Sequence, residues 1–284
     1  MIKCVKKELM QISFSGGRTS AYMTKILLDH FSDQYEFIVT FANTGMEHEK
    51  TLEFINNCDL HFNFNTVWLE ANVKHGEREG TGFKVVTFET ASRKGEPYNE
   101  VIKKYGIPNT AYPHCTRELK LSVMRHYLKS LGLNHKEIKT AIGIREDETR
   151  RVSKQADVNN IVYPLIDEFP TDKKDVLQWW SKQEFDLEIP EYLGNCVGCF
   201  KKSFKKQFKT LDQNPNALDF YVEMEQLYPQ VGNREDHQFD RVFFRGNTPA
   251  KMLLELWKNN KDLEQLDMFL DGGCSESCEV YLTE

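Results

Sequence analysis

No apolar run in this chain approaches the roughly 20 residues that a membrane-spanning helix needs. The first fourteen residues, MIKCVKKELMQISF, break their short apolar stretches with charge, so a secretory leader is not expected either and the expected compartment is the cytoplasm. Excess positive charge is also lacking. Lysine plus arginine is 37 against 43 for aspartate plus glutamate, a net charge of −6. That excludes a uniformly basic nucleic-acid coat but leaves room for a local basic groove. Internal repeats and low-complexity tracts are absent. So are two common nucleotide fingerprints, G-x-x-x-x-G-K-[ST] and G-x-G-x-x-G. Cysteine is not scarce, but seven is an odd number, and a chain of 284 residues can stabilise itself without a disulfide framework.

What is present is an ordinary globular composition, 40% hydrophobic and 28% charged. Short strands are expected at residues 9–14, 37–41, 66–69 and 138–144, with a further extended piece at 161–166. Helices are expected after residue 20, at 50–56, at 116–131 closed by Gly132, and at 172–182. Strand–helix alternation of this kind predicts an α/β fold, a Rossmann-like parallel sheet with helices on both faces. The glycine- and proline-bearing stretch 75–113 reads as loops and short helices. Beyond about Pro190 the alternation stops, which suggests an α/β unit over 1–190 and a mostly helical, cysteine-containing region over 191–284.

The first strand runs directly into Ser15-Gly16-Gly17-Arg18-Thr19-Ser20 and then a helix. Two glycines allow a sharp turn and close approach to an anion, and the helix N-terminus offers unpaired N–H groups. Ser15, Gly16, Gly17, Thr19 and Ser20 are therefore candidate phosphate contacts, with a serine-capped Gly-Gly turn as the plain alternative. Asn43-Thr44-Gly45 ends the second strand. Ligands of open α/β sheets bind at the carboxyl ends of strands, so these three residues are candidates for the same crevice, or a simple turn. Arg145 follows another strand in GIREDETRR, where a guanidinium can grip phosphate or sulfate in bidentate fashion. The acidic residues after it would hold Mg²⁺ or pair with Arg145, Arg150 and Arg151.

Cys196-Val197-Gly198-Cys199 places two thiols on one turn, which points to a metal, a cluster or redox chemistry. Four thiolates can be assembled from Cys115, the Cys196/Cys199 pair and either Cys274 or Cys278, a donor set that suits iron–sulfur or zinc. Lys201, Lys202, Lys205, Lys206 and Lys209 follow, as a nucleic-acid-docking face or a solvated patch. Phe200, Phe204 and Phe208 at i,i+4 spacing read as core anchors. His48 stands close behind the second strand, though a surface position fits it better.

Taken in order, SFSGGRTS, FANTGMEHEKTLEF, PHCTRELK, GIREDETRR, YPLIDEFPTDKKDV and GNCVGC resemble the phosphoadenosine phosphosulfate (PAPS) reductase-like branch of the adenine-nucleotide alpha hydrolase superfamily, in its phage or mobile-element form. The likeness covers about residues 9–200. It implies nucleotide phosphates at Ser15, Gly16, Gly17 and Ser20, the nucleotide beside Thr44 and Gly45, and catalytic charge from Lys120, Arg145 and Arg151. Asn43 departs from the branch's usual aspartate. The resemblance favours a 4Fe–4S cluster over zinc at the cysteines, and ATP or adenylyl sulfate with Mg²⁺ as the bound species. The expected activity is adenylation of an acceptor, such as tRNA or DNA, for cluster-assisted sulfur transfer from a donor protein. Alternatives are a sulfonucleotide reductase, a non-catalytic nucleotide sensor and a zinc-stapled module. The chain's last residues, GGCSESCEVYLTE, lack the glycine and histidine of the reductases' Glu-Cys-Gly-x-His-like tail, which argues against a standard assimilatory reductase. A homo-oligomer is compatible with the sequence, and no membrane partner is expected.

Overall fold

The computed structural model describes residues 7–233 and 239–259. Its centre is a six-stranded sheet in the order β4-β3-β2-β1-β5-β6, built from β1 (Glu8–Ser13), β2 (Tyr35–Asn43), β3 (Val67–Val73), β4 (Thr81–Val86), β5 (Lys139–Ile142) and β6 (Ile161–Val162). All neighbours are parallel except β3 and β4. Parallel strands need crossovers, and α1 (Arg18–Phe31) and α2 (Glu49–Phe62) supply the first two. The chain steps outward from β1 to β2 and β3, then returns to place β5 on the other side of β1. The carboxyl ends of β1 and β5 are thus the topological switch point, where open sheets of this kind form a crevice.

Burial on both faces explains the apolar strands. Ile12, Val39, Phe41, Leu69, Ala141 and Ile142 are all buried. The buried polar strand residues satisfy one another: Gln11 Nε2 donates to Thr40 Oγ1 (2.9 Å), and Thr140 Oγ1 donates to Gln11 Oε1 (3.4 Å). On α1, Ala21, Met23, Thr24 and Leu27 form the inward stripe.

Strand β4 lies inside the stretch expected to be loops. It is an edge strand with only Thr81 buried, so its sequence TGFKVV carries no clean alternation. Helix α3 (Glu96–Tyr105) begins in the same stretch after Gly95. The helix expected over 116–131 is interrupted: one α turn, α4 (His114–Thr116), leads into a π turn, Arg117–Leu121, and then α5 (Ser122–Ser130). Short pieces follow as α6 (Pro164–Asp167) and α7 (Lys173–Trp180), the latter opened by an Asp172/Asp175 capping box.

Beyond Pro190 come α8 (Phe204–Gln213), α9 (Asp219–Leu227) and α10 (Ala250–Asn259). Phe200, Phe204 and Phe208 are buried as core anchors, in one apolar cluster with Leu69, Tyr98, Val101, Leu119, Tyr221 and Phe243. The helical region thereby shares a core with α3 and the π turn. No helix among the described residues is long and apolar enough to cross a membrane.

His114 marks one junction of this core. Its Nε2–H donates to the Gly106 carbonyl (3.0 Å), and burial pulls its pKa down to about 4. A depressed histidine binds fewer protons than its unfolded counterpart between that value and 6.5. Its contribution to stability is therefore complete above pH 6.5 and is lost as pH falls toward 4. Urea midpoints should fall over that window, and His114→Gln, which keeps a donor but cannot titrate, should reduce the fall. An unchanged pH profile in the variant would remove His114 as the cause.

Candidate functional site

The loop after β1 is held by its own serines. Ser15 N–H donates to Ser20 Oγ (3.2 Å), the two hydroxyls meet at 2.9 Å, and Ser20 Oγ also donates to the Gly17 carbonyl (3.0 Å). Gly16 has φ +78, and a Cβ there would lie 2.8 Å from Ile55 Cδ1, so both conformation and space require glycine. Gly143, just past β5, plays a matching part. A Cβ on it would stand 2.9 Å from Ser20 Cα, so its absence lets the β5 end approach the start of α1.

Arg145 then reaches the loop. It is buried, its Nη1 donates to Thr19 Oγ1 (3.0 Å), and its Nε donates to Asp147 Oδ1 (2.8 Å). Glu148 Oε2 lies 3.3 Å from Arg145 Nη1, and the other carboxylate oxygen of Glu148 pairs with Arg151. Arg151 thus stands behind Arg145 across a shared carboxylate. Asp147 and Glu148 are arginine partners, so the alternative of Mg²⁺ ligands in this segment is set aside.

Ser15, Gly16, Gly17, Thr19, Ser20 and Arg145 line one cavity of about 150 Å³ at the switch point. The rest of its lining is largely apolar, with Val176 and Leu177 from α7, then Leu187, Ile189 and Pro190, beside the paired Lys173 and Glu191. A polar cradle facing an apolar wall suits a phosphorylated ring system. Arg18 ties the two sides together. Its Nε and Nη2 donate to the two Asp186 carboxylate oxygens (2.6 and 2.9 Å), Nη2 also reaches the Leu187 carbonyl, and Trp180 Nε1 donates to the Arg18 carbonyl (3.0 Å). Arg18 and the apolar wall were not among the sequence candidates. The wall follows a helix that reads simply as amphipathic, and only folding brings it opposite the loop.

Asn43 is fully buried and faces away from this cavity's lining. Its Nδ2 donates to Glu70 Oε1 (2.6 Å) and to the Ser92 carbonyl (2.8 Å), and its Oδ1 accepts from Gly45 N–H (3.2 Å). Glu70 accepts in addition from Ser92 N–H, Ser92 Oγ and Lys84 Nζ. Asparagine at 43 is explained by that neighbour, since a second carboxylate there would stand against Glu70. Gly45, at φ +77, lets its carbonyl accept from Gly95 N–H (2.9 Å).

Thr44 belongs to a second, smaller cavity, which it lines with Tyr98, Cys115, Lys120, Asn195, Cys196, Cys199 and Lys201. Glu47 accepts from Thr44 N–H (3.0 Å) and Thr44 Oγ1, which lies 3.3 Å from Cys196 Sγ. Burial, reinforced by the Glu47 carboxylate, pushes the Cys196 thiol up to about 12, although Lys120 and Thr44 pull the other way. Lys202 is not part of a solvated patch. It is buried, donates to the Val197 carbonyl (2.9 Å), and burial draws its pKa down to about 8. His48 caps α2, its Nδ1 accepting from Lys50 N–H (3.1 Å).

The expectation of a 4Fe–4S cluster, or of zinc, at the cysteines is corrected by this geometry. Among the described residues no group of three or more His, Cys, Asp or Glu is arranged to hold a metal ion. Cys115, Cys196 and Cys199 share a cavity of only about 20 Å³, room for about one water. Lys120 and Lys201 line the same cavity. Cys274 and Cys278 lie outside the described residues. The cluster-assisted adenylation and sulfur-transfer reading falls with the cluster, and the described residues offer Mg²⁺ no group of three or more carboxylate or histidine donors either.

The family match agrees with the fold. Residues 10–161 match the phosphoadenosine phosphosulfate reductase domain. An uncharacterized nin region protein of Escherichia phage lambda is 29% identical over 280 residues, 95% of this chain and 94% of that protein. An uncharacterized protein of Methanocaldococcus jannaschii is 25% identical over 234 residues, 81% of this chain but 47% of that protein. Among solved structures, a PAPS reductase of Candida auris in its phosphate complex superposes with a TM-score of 0.37 at 15% identity, covering 63% of this chain and 73% of that one. The tRNA thiolase NcsA of Methanococcus maripaludis gives 0.39 at 12% identity, covering 100% of this chain and 81% of that one. With over half its length matched by that domain, the chain belongs to the phosphoadenosine phosphosulfate reductase domain family.

Proposed function

We propose that this protein binds an adenine sulfonucleotide, adenylyl sulfate or its 3′-phosphorylated form, and reduces its sulfonyl group with thiol electrons. The observation that carries this reading is the cavity at the β1/β5 switch point, with the serine–glycine loop and Arg145 on one side and an apolar wall on the other. In this reading the purine rests against Leu187, Ile189 and Pro190. Loop N–H groups and hydroxyls hold the phosphate, and Arg145 steadies charge on it as it becomes the leaving group.

Reduction needs a thiolate to attack the sulfonyl sulfur. The S–O bond to phosphate breaks, its electron pair leaves with the nucleotide, and a second thiol then releases sulfite as a disulfide forms. Membership of this family supports the reaction class.

The test is calorimetric titration of the full chain with adenosine 5′-phosphosulfate, adenosine 3′,5′-bisphosphate and ATP, followed by a sulfite-release assay with a dithiol reductant. Micromolar binding of a sulfonucleotide and stoichiometric sulfite are expected. Binding with no sulfite under any reductant would make the protein a sensor. No adenine-nucleotide binding at all would overturn the reading. In the same titrations Ser20→Ala should weaken binding about tenfold, the loss of roughly one charge-assisted hydrogen bond and of the loop's internal brace.

A further inference from the structure

The π turn Arg117–Leu121 borders two spaces. Lys120 lines the small thiol cavity, whereas Arg117 lines an open cleft of about 500 Å³ together with Tyr105, Tyr112, His114 and Arg241. Turns of this kind are rare and concentrate at functional sites. The cleft has the size of a small-molecule site, and it shares no lining residue with the larger nucleotide cavity among the described residues.

Two guanidiniums converge on it. Arg241 places its Cζ 4.2 Å from the centre of the Tyr112 ring, a stacked cation–π contact. Its Nε donates to Asn233 Oδ1 (2.6 Å), its Nη1 to the Tyr105 carbonyl (3.3 Å) and its Nη2 to the Gly232 carbonyl. All three acceptors are neutral, so this set fixes the side chain without cancelling its charge, and part of its donor fork is left over. Gly232, at φ +73, makes room for the arrangement. A Cβ there would stand 2.5 Å from the Tyr105 carbonyl oxygen and 3.1 Å from Arg241 Nη1. Arg117 is aimed by Glu118, a buried carboxylate that accepts from Arg117 Nε (2.7 Å) and, through its other oxygen, from Thr81 Oγ1 (2.5 Å). The Arg117 side chain is nevertheless 55% exposed. Burial lowers the pKa of His114, and Arg117 and Arg241 both lower it further, so the two charges share one neighbourhood.

Tyr112 is held in place yet 42% exposed. Its N–H donates to Asn109 Oδ1 (3.0 Å), and Asn109 Nδ2 donates to the Val242 carbonyl (3.0 Å), which ties this loop to the residue after Arg241. An exposed ring, fixed and backed by a cation, is a stacking platform for a planar base. Guanidiniums beside it suit a phosphate.

We propose that this cleft is a second nucleotide site, which stacks a base on Tyr112 and holds the attached phosphate between Arg117 and Arg241. Its ligand is a base-and-phosphate unit, supplied either as a free mononucleotide or as one residue of a single strand. Stacking accepts any base, so the site discriminates little among them. The proposal needs nothing from the sulfonucleotide reading of the larger cavity.

The test photo-cross-links the full chain with 5-iodo-2′-deoxyuridine 5′-monophosphate, and with a short oligothymidylate carrying one 5-iodouracil, and maps the modified peptide. Calorimetry with thymidine 5′-monophosphate and unlabelled oligothymidylate gives the affinities. Cross-linking at Tyr112 is expected. Tyr112→Ala should weaken binding about fivefold or more, while Tyr112→Phe, which keeps the ring, should stay within about twofold of wild type. Arg117→Gln should weaken binding about tenfold, and thymidine without its phosphate should lose about as much. A strand that binds about tenfold tighter than the mononucleotide assigns the site to single strands, and equal affinities assign it to the free nucleotide; both outcomes support a second site. A cross-link mapped to the serine–glycine loop or the apolar lining of the larger cavity overturns it, as does unchanged affinity in Tyr112→Ala. Displacement of thymidine 5′-monophosphate by an equal concentration of inorganic phosphate also overturns it, because the base would then have no part in binding. So does the absence of saturable binding by either probe. The sulfonucleotide titrations are read separately, so failure of one reading leaves the other standing.

Discussion

Asn43→Asp should lower stability by about 3–5 kcal/mol at pH 8, the range for a buried charge left without compensation. The new carboxylate would meet Glu70 at the 2.6 Å now spanned by a hydrogen bond, and would also lose the donor to the Ser92 carbonyl. Glu70 has no exposed surface through which to relax. Because like charges raise one carboxyl pKa of the pair, the deficit should shrink as pH falls and that group takes up a proton. Urea unfolding at pH 8 and pH 5 measures both effects. Combining the change with Glu70→Gln should recover part of the loss, since one charge is removed but the Ser92 and Lys84 donors lose a full carboxylate acceptor. A single variant within about 1 kcal/mol of wild type at pH 8 would refute the account of why asparagine stands here.

Arg145→Ala should cost about 3 kcal/mol and reduce sulfonucleotide affinity tenfold or more. The two losses have separate origins. Removal of the guanidinium strands the buried Glu148 carboxylate between its vacated partner and Arg151, and frees Asp147 and Thr19 from their tether. It also takes the only buried cation out of the lining of the larger cavity among the described residues. Arg145→Lys separates them. It keeps a positive charge for the anion but cannot bridge Thr19, Asp147 and Glu148 with one planar group, so it should bind nucleotide better than the alanine variant while remaining destabilised. Thermal unfolding and calorimetry on the two variants read the stability and binding effects independently. Full affinity in Arg145→Ala would remove this residue from the anion site.

Much of this site could be read along the chain. Ser15 to Ser20 announce themselves because a Gly-Gly turn between an apolar strand and an amphipathic helix has few physical uses. Arg145 follows the same logic after β5, whereas the need for glycine at 143 shows only in its approach to Ser20. The apolar wall could not be read, because Val176, Leu177, Leu187 and Ile189 carry only a helix-face or loop pattern that any core contact would produce. Lys202 was hidden among its neighbours. In a run of five lysines nothing local distinguishes the one whose stem and ammonium are buried against the Val197 carbonyl. The cysteines were the instructive failure. Spacing showed that Cys196 and Cys199 face one place, but a metal site also needs room and further donors, which spacing does not encode.

By itself the sequence determined the alternation of strand and helix, the serine–glycine turn between β1 and α1, the apolar anchoring of α8 and the family, because these depend on periodicity and on short runs of neighbouring residues. Tertiary structure alone decided that β5 returns beside β1 to form the crevice, that Asn43 is spent on Glu70, and that three thiols surround a space of one water instead of a cluster. Those outcomes depend on distances between residues far apart in the chain, which are fixed only when the sheet closes and the helical region packs against it.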